Sequence, residues 1–231
     1  MRRRTVRRWT ALLVAALLLS ACSDSNGPDE SLDARIRFVN VVRFTTGDVE
    51  IGLIGGPSSV VALGEAGSYE TSRPGDYVIS VEDETGPLDL NGSVFVSGGT
   101  DHTLAITGQS DLSRAMFLAD DPGQPDVGKA FIRVANGGLQ LGPVDIYVLL
   151  PGEQVDGNPT VTSVDWLNAT LYGEFDSGEI TLVLTTVGTQ DVLFDSGPID
   201  VPSASVRTFF LFDGAAALDD IDLLVLDDGG D

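Results

Sequence analysis

Cysteine, histidine and lysine each occur once, as Cys22, His102 and Lys129. A single cysteine excludes an intrachain disulfide framework. A single histidine excludes a His-rich metal site and leaves any Ser-His-Asp catalysis dependent on that one residue. Basic residues are scarce, 13 against 35 acidic ones in 231, for a net charge of −22. Phosphate binding needs clustered Lys and Arg, so the charge argues against a nucleic-acid partner. There is no Walker-type phosphate loop, no Gly-x-Ser-x-Gly elbow, no Cys-x-x-Cys and no complete EF-hand loop. What is present is a 42% hydrophobic content, enough to build a core rather than a disordered acidic tail.

The long apolar run comes first. Ala11 to Leu19 is unbroken, behind a positive segment of Arg2, Arg3, Arg4, Arg7 and Arg8. It is too short to span a bilayer, which takes about 20 apolar residues, and it fits a signal-peptide core. The run ends in Leu19-Ser20-Ala21-Cys22, which resembles the bacterial lipobox. Residues 1–21 are therefore expected to be a lipoprotein signal peptide, with Cys22 the lipid attachment site and the protein held to the membrane by that lipid. Ser23 after the cysteine favours the outer membrane of a bacterial cell envelope. Five of the 13 basic residues and none of the acidic ones lie in residues 1–21, which leaves the chain from Cys22 at −27. Residues 22–33 read as the lipidated cysteine and a flexible polar tether.

From Ala34 onward, strand-like runs alternate with Gly, Pro, Asp and Asn, and no sustained helical periodicity occurs. The runs repeat. Ala34-Arg-Ile-Arg-Phe-Val-Asn40 matches Ala130-Phe-Ile-Arg-Val-Ala-Asn136, and Gly47-Asp-Val-Glu-Ile51 matches Val144-Asp-Ile-Tyr-Val148. Pro74 to Val81 matches Ser177 to Leu184, and His102-Thr-Leu-Ala-Ile106 matches Arg207-Thr-Phe-Phe-Leu211. Met116 to Gly123 matches Leu223 to Gly230, which pairs Asp120 and Asp121 with Asp227 and Asp228. The order suggests a tandem duplication with a linker at 122–128.

Each half has the length and strand rhythm of an immunoglobulin-like sandwich. The expected fold is all-β: two tandem immunoglobulin-like antiparallel β-sandwich domains, at 34–121 and 129–231. One larger sandwich or barrel spanning both halves is the alternative. Ile36 and Phe38 would face the core with Arg35 and Arg37 on a wet face. Val49, Ile51 and Leu53 would face in while Asp48 and Glu50 face out, and Tyr77, Ile79 and Val81 continue the core.

Several segments resemble the bacterial domain-of-unknown-function 4397 repeats. They are A-R-I-R-F-V-N at 34–40, R-P-G-D-Y-V-I-S-V at 73–81, G-T-D-H-T-L-A-I-T-G at 99–108, I-R-V-A-N at 132–136 and G-P-V-D-I-Y-V at 142–148. The resemblance extends over about 34–228. It implies an immunoglobulin-like fold in an exported, often lipidated tandem protein, and it implies no activity. The loops after Asn40 and Asn136 depart from the family's usual Ser-Pro-Asp-Ala-Pro-like sequence.

The functional expectation is a non-enzymatic, structural or adhesive envelope module with a protein or glycan partner. The alternative is a Ca2+-dependent binding module. Its candidate ligands are Asp120, Asp121, Asp219, Asp220, Asp222, Asp227 and Asp228, because hard cations take several carboxylate and carbonyl oxygens. Asp is also an ordinary turn residue. An envelope hydrolase comes third. Trp166 and Tyr172 are candidates for a sugar-stacking platform or for packing, and His102 reads as a polar cap on the open end of a core.

Overall fold

The computed structural model describes residues 32–43, 47–88, 90, 92–109, 111–214 and 220–229. The expected signal peptide and Cys22 lie outside the described residues, as does the tether through residue 31. Every regular element described is a strand. The first half contains β1 (Ala34–Arg43), β2 (Val49–Leu53), β3 (Ser58–Val61), β4 (Glu65–Ala66), β5 (Glu70–Ser72), β6 (Gly75–Asp83), β7 (Gly86–Pro87), β8 (Ser93–Val96), β9 (Asp101–Gln109) and β10 (Leu112–Ala119). The second contains β11 (Lys129–Asn136), β12 (Val144–Leu149), β13 (Val161–Val164), β14 (Asn168–Ala169), β15 (Gly173–Asp176), β16 (Gly178–Thr186), β17 (Val192–Val201), β18 (Val206–Asp213) and β19 (Ile221–Asp227).

The strands form four sheets. One has the order β10-β9-β1-β4 with β5 also on β1, and it faces a sheet of β3-β2-β6-β7 with β8 on β6. The second half repeats the plan with β19-β18-β11-β14, where β15 joins β11, facing β13-β12-β16-β17. The core of the first half joins Ile36, Phe38, Leu104 and Ile106 to Val49, Ile51, Ile79 and Val81. The core of the second joins Ile132, Val134, Phe209 and Leu211 to Val144, Ile146, Leu182 and Leu184. A third apolar cluster lies between the halves, with Val39, Val41, Ala105 and Met116 against Ala135, Phe210, Phe212 and Leu226. The order of layers is therefore sheet, core, sheet, joint, sheet, core, sheet.

That joint changes the reading of the innermost strands. β2 has one wet face as expected, with Val49, Ile51 and Leu53 buried and Glu50 exposed. β1 is buried along nearly its whole length, as are β9, β11 and β18. Arg37, expected on a wet face, is only 4% exposed. The face that alternation marks as outer is covered by the other half, so its polar residues need internal partners. The inner sheets are also mixed rather than purely antiparallel. β1 runs parallel to β9 and β11 parallel to β18, which is possible because the chain crosses to the facing sheet between each pair.

Strand register compares the halves residue by residue. Ile36 lies opposite His102 and Ile132 opposite Arg207, in agreement with the sequence matches. Ala119 lies opposite His102 but Asp227 opposite Arg207, so the counterpart of Asp120 is Asp228, one residue beyond the expected match. Ile51 lies opposite Val81 and Ile146 opposite Leu184, so Ile51 corresponds to Ile146 rather than Val148.

The chain enters, crosses over and leaves at one end of the molecule. Ala34 pairs with Ser72, Arg35 with Asp101, Lys129 with Asp176 and Arg207 with Asp227. The 122–128 crossover joins β10 to β11 at that same end.

Candidate functional site

Near that end, two arginines and two aspartates meet in the joint. Arg37 donates from Nη2 to Asp228 Oδ1. Its counterpart Arg133 donates from Nη2 to Asp120 Oδ1 at 2.6 Å. Each pair crosses between the halves. Each arginine also lies close to the aspartate of its own half, Arg37 to Asp120 at 3.9 Å and Arg133 to Asp228 at 3.8 Å. The four charges thus form a closed, neutral ring.

The rest of the ring is duplicated as well. Arg37 Nε donates to Thr103 Oγ1 at 2.8 Å, and Arg133 Nε to Thr208 Oγ1 at 2.9 Å. Both threonine hydroxyls pass a bond on, Thr103 to Asp120 Oδ2 and Thr208 to Asp228 Oδ2, each at 2.5 Å. Tyr69 donates to Asp120 Oδ2 at 2.9 Å and Tyr172 to Asp228 Oδ2 at 2.7 Å. The Arg37 guanidinium lies 4.8 Å from the Tyr69 ring centre, and that of Arg133 4.5 Å from Tyr172. The remaining arginine nitrogens reach main-chain carbonyls, Arg37 Nη1 that of Asp227 at 2.8 Å and Arg133 Nη1 that of Ala119 at 2.9 Å.

Every carboxylate oxygen in the ring has a donor, and both guanidiniums are met on all sides. Burial pushes the Asp120 carboxyl above its usual pKa, against the pull of Arg37 and Arg133. Burial works to lower the Arg37 pKa, but Asp228, Tyr69 and Asp120 together hold it above the usual value. Burial also raises the Tyr69 and Tyr172 hydroxyls well above the ordinary tyrosine range. A buried polar network with all members satisfied specifies one arrangement. Both carboxylates are thereby committed to donors inside the joint.

The candidate Ca2+ ligands are separated by this arrangement. Asp120 and Asp228 are held by the arginines, whereas Asp121 is exposed beside the crossover. Asp222 and Asp227 point to solvent from β19, with Asp227 3.3 Å from Arg207. Asp220 precedes β19, and Asp219 lies outside the described residues. Among the described residues, no three His, Cys, Asp or Glu side chains are placed to hold a metal ion. The aspartate pairs 120/121 and 227/228 are each one buried residue and one exposed residue, in opposite order.

His102 is 3% exposed and stacks on Phe117 with ring centres 4.8 Å apart. The Ser97 amide donates to its Nε2 at 3.2 Å. These are packing contacts. Tyr172 is not part of a platform with Trp166, because its ring is covered by Arg133 and its hydroxyl is bound to Asp228. Sequence reasoning did not single out Arg37, Arg133, Thr103, Thr208 or Tyr69. The available signal was polar identity shared by the two halves: Arg-x-x-Asn at 37–40 and 133–136, and Ala-x-x-Tyr at 66–69 and 169–172.

Residues 57–147 match the family described as Domain of unknown function (DUF4397). The matched span starts at β3 and ends within β12, so it crosses from one half into the other. It is shorter than the 34–228 span that the motifs suggest. It contains Tyr69, Thr103, Asp120 and Arg133 and omits their counterparts Tyr172, Thr208, Asp228 and Arg37. No curated protein matches the chain.

Proposed function

We propose that this protein is a non-enzymatic, lipid-anchored module of the bacterial cell envelope, with the outer membrane as its site and binding rather than chemistry as its role. In this reading the halves are tandem copies of one sandwich unit, fused through the charged ring, after a cleaved signal peptide. One observation carries it: the buried Arg37, Arg133, Asp120 and Asp228 are satisfied by one another across the joint. The most catalysis-like group of side chains then serves to hold two sandwiches in one rigid body. Chain entry at Asp33 lies at the ring end of that body, so a lipid at Cys22 would leave the opposite loops and the outer sheets facing a partner. A net charge of −27 from Cys22 onward would disfavour anionic lipid and nucleic acid.

The test is metabolic labelling with an alkyne fatty acid followed by membrane fractionation. The wild-type protein should take up label and sediment with the outer membrane. The Cys22→Ser variant should take up none and lose outer-membrane association. Equal labelling of the two would sink the anchoring, and soluble wild-type protein would sink the location.

A further inference from the structure

We propose that the free edge of β19 takes an extended segment of another protein as an added strand, with apolar residues at its centre and basic residues at the end beside Asp220 and Asp222. The inference rests on the reading of the protein as a binding module and assigns the surface and the partner chemistry.

The main-chain bonding pattern shows which groups are free. In the β18–β19 ladder the Asp228 amide donates to Val206 and the Gly214 amide to Asp220. With the register of this pair, the even-numbered residues of β19 bond to β18. The odd-numbered ones, Leu223, Val225 and Asp227, therefore turn their N–H and C=O groups outward. The Asp227 carbonyl is already taken by Arg37. Val225, with Leu224, Leu226 and Asp227, lines a cleft of about 640 Å3 whose far wall is the first-half segment around Glu65, Ser68 and Tyr69. No described strand pairs with this edge.

The other long edges are guarded. Exposed strand edges invite pairing, and proteins blunt them with bulges, proline, short strands or charge. β17 carries Pro198 and two register shifts, and β13 has a shift against β12. β3 and β8 are four residues long. On β10, Arg114 donates from Nη1 to the outward carbonyl of Ser113 at 2.8 Å. β19 is seven residues of regular register with the sequence Ile-Asp-Leu-Leu-Val-Leu-Asp, and Val225 is 37% exposed. Such an edge recognises a partner by main-chain bonds, with side chains setting selectivity.

Charge selects one end. Asp220 and Asp222 stand at the start of β19, and Glu65 follows Gly64, which abuts Phe212, the partner of Asp222, whereas Asp227 at the other end is paired with Arg207. A second copy of β19 would set acid against acid. A segment with Lys or Arg at the end beside Asp220 and Asp222 complements them.

The probe is a fluorescein-labelled Lys-Lys-Val-Thr-Val-Thr-Val-Lys-Lys peptide, titrated by anisotropy against the full mature protein in uncharged detergent. Binding is expected, with at least a tenfold loss for Val225→Pro and for a peptide with Glu in place of Lys. The proline removes an outward N–H and leaves the β18 ladder intact. Hydrogen exchange gives a second readout should that variant fail to fold: the Leu223 and Val225 amides should slow at least tenfold with peptide. Absence of binding, equal binding by Val225→Pro, or unchanged exchange at those two amides overturns the proposal. A species of twice the chain mass that is lost in Val225→Pro would make a second copy the occupant and overturn the basic partner. Failure of the anchoring reading appears separately, in the Cys22→Ser labelling.

Discussion

Leu167 stands where the first half has Gly64. Both have positive φ, 64° and 76°, and both donate their amide to the carbonyl of the equivalent asparagine, Leu167 to Asn136 at 2.9 Å and Gly64 to Asn40 at 2.8 Å. A positive φ costs a leucine roughly 1–2 kcal/mol, a cost that glycine escapes. Leu167 keeps it because its side chain packs into the apolar joint. Burial of a leucine there contributes up to about 2 kcal/mol.

Leu167→Gly is thus a contest between two effects of similar size. Relief of strain is offset by lost packing and by the extra freedom of glycine in the unfolded chain. We expect a net destabilisation of about 1 kcal/mol in urea unfolding. The reverse change, Gly64→Leu, should cost more, since a Cβ at Gly64 would already lie 3.3 Å from the Phe212 ring. A Leu167→Gly protein more stable than wild type would show that strain, not packing, dominates this corner.

The ring permits a sharper test. Removing Arg37 alone strands Asp228, and breaking a buried ion pair this way costs about 3–5 kcal/mol. Removing both partners leaves no orphaned charge between them. Arg37→Met and Asp228→Leu should therefore each be strongly destabilising, and the double variant should lose much less than the sum. A double-mutant cycle by denaturant unfolding measures the difference. Simple additivity would mean that the two side chains do not act as a pair.

The contrast between two slips explains how far the fold was legible. The match of Ile51 to Val148 was wrong by two residues, yet both positions share a face, so the expectation that Val49, Ile51 and Leu53 face inward survived. The match of Asp120 to Asp227 was wrong by one residue, which exchanges the faces of a strand. That single slip hid the pairing of Asp120 with Asp228 as equivalents. Alternation marks which residues share a face but not what covers it. Arg37 and Arg133 alternate with core residues as solvent-facing arginines do. Only the joint distinguishes them from Arg35, which stays partly exposed and bonds Asp101 from Nε at 2.8 Å.

Tyr69 and Tyr172 give the ring a pH dependence of known sign. Burial raises both hydroxyls above the ordinary value of 10. In the unfolded chain they ionise near pH 10, and in the folded protein only at higher pH. Proton linkage then places their contribution to stability in full below pH 10, with loss as pH rises toward the folded values. Tyrosinate absorbance near 295 nm, taken as the difference between wild type and the Tyr69→Phe, Tyr172→Phe double variant, should accordingly stay near zero through about pH 11 and appear only as the protein unfolds. The Tyr69→Phe, Tyr172→Phe double variant should be less stable at neutral pH, because Asp120 and Asp228 each lose a donor. Its stability should also fall less steeply above pH 10. If that difference appears near pH 10 while the protein stays folded, the two hydroxyls are not held in the joint.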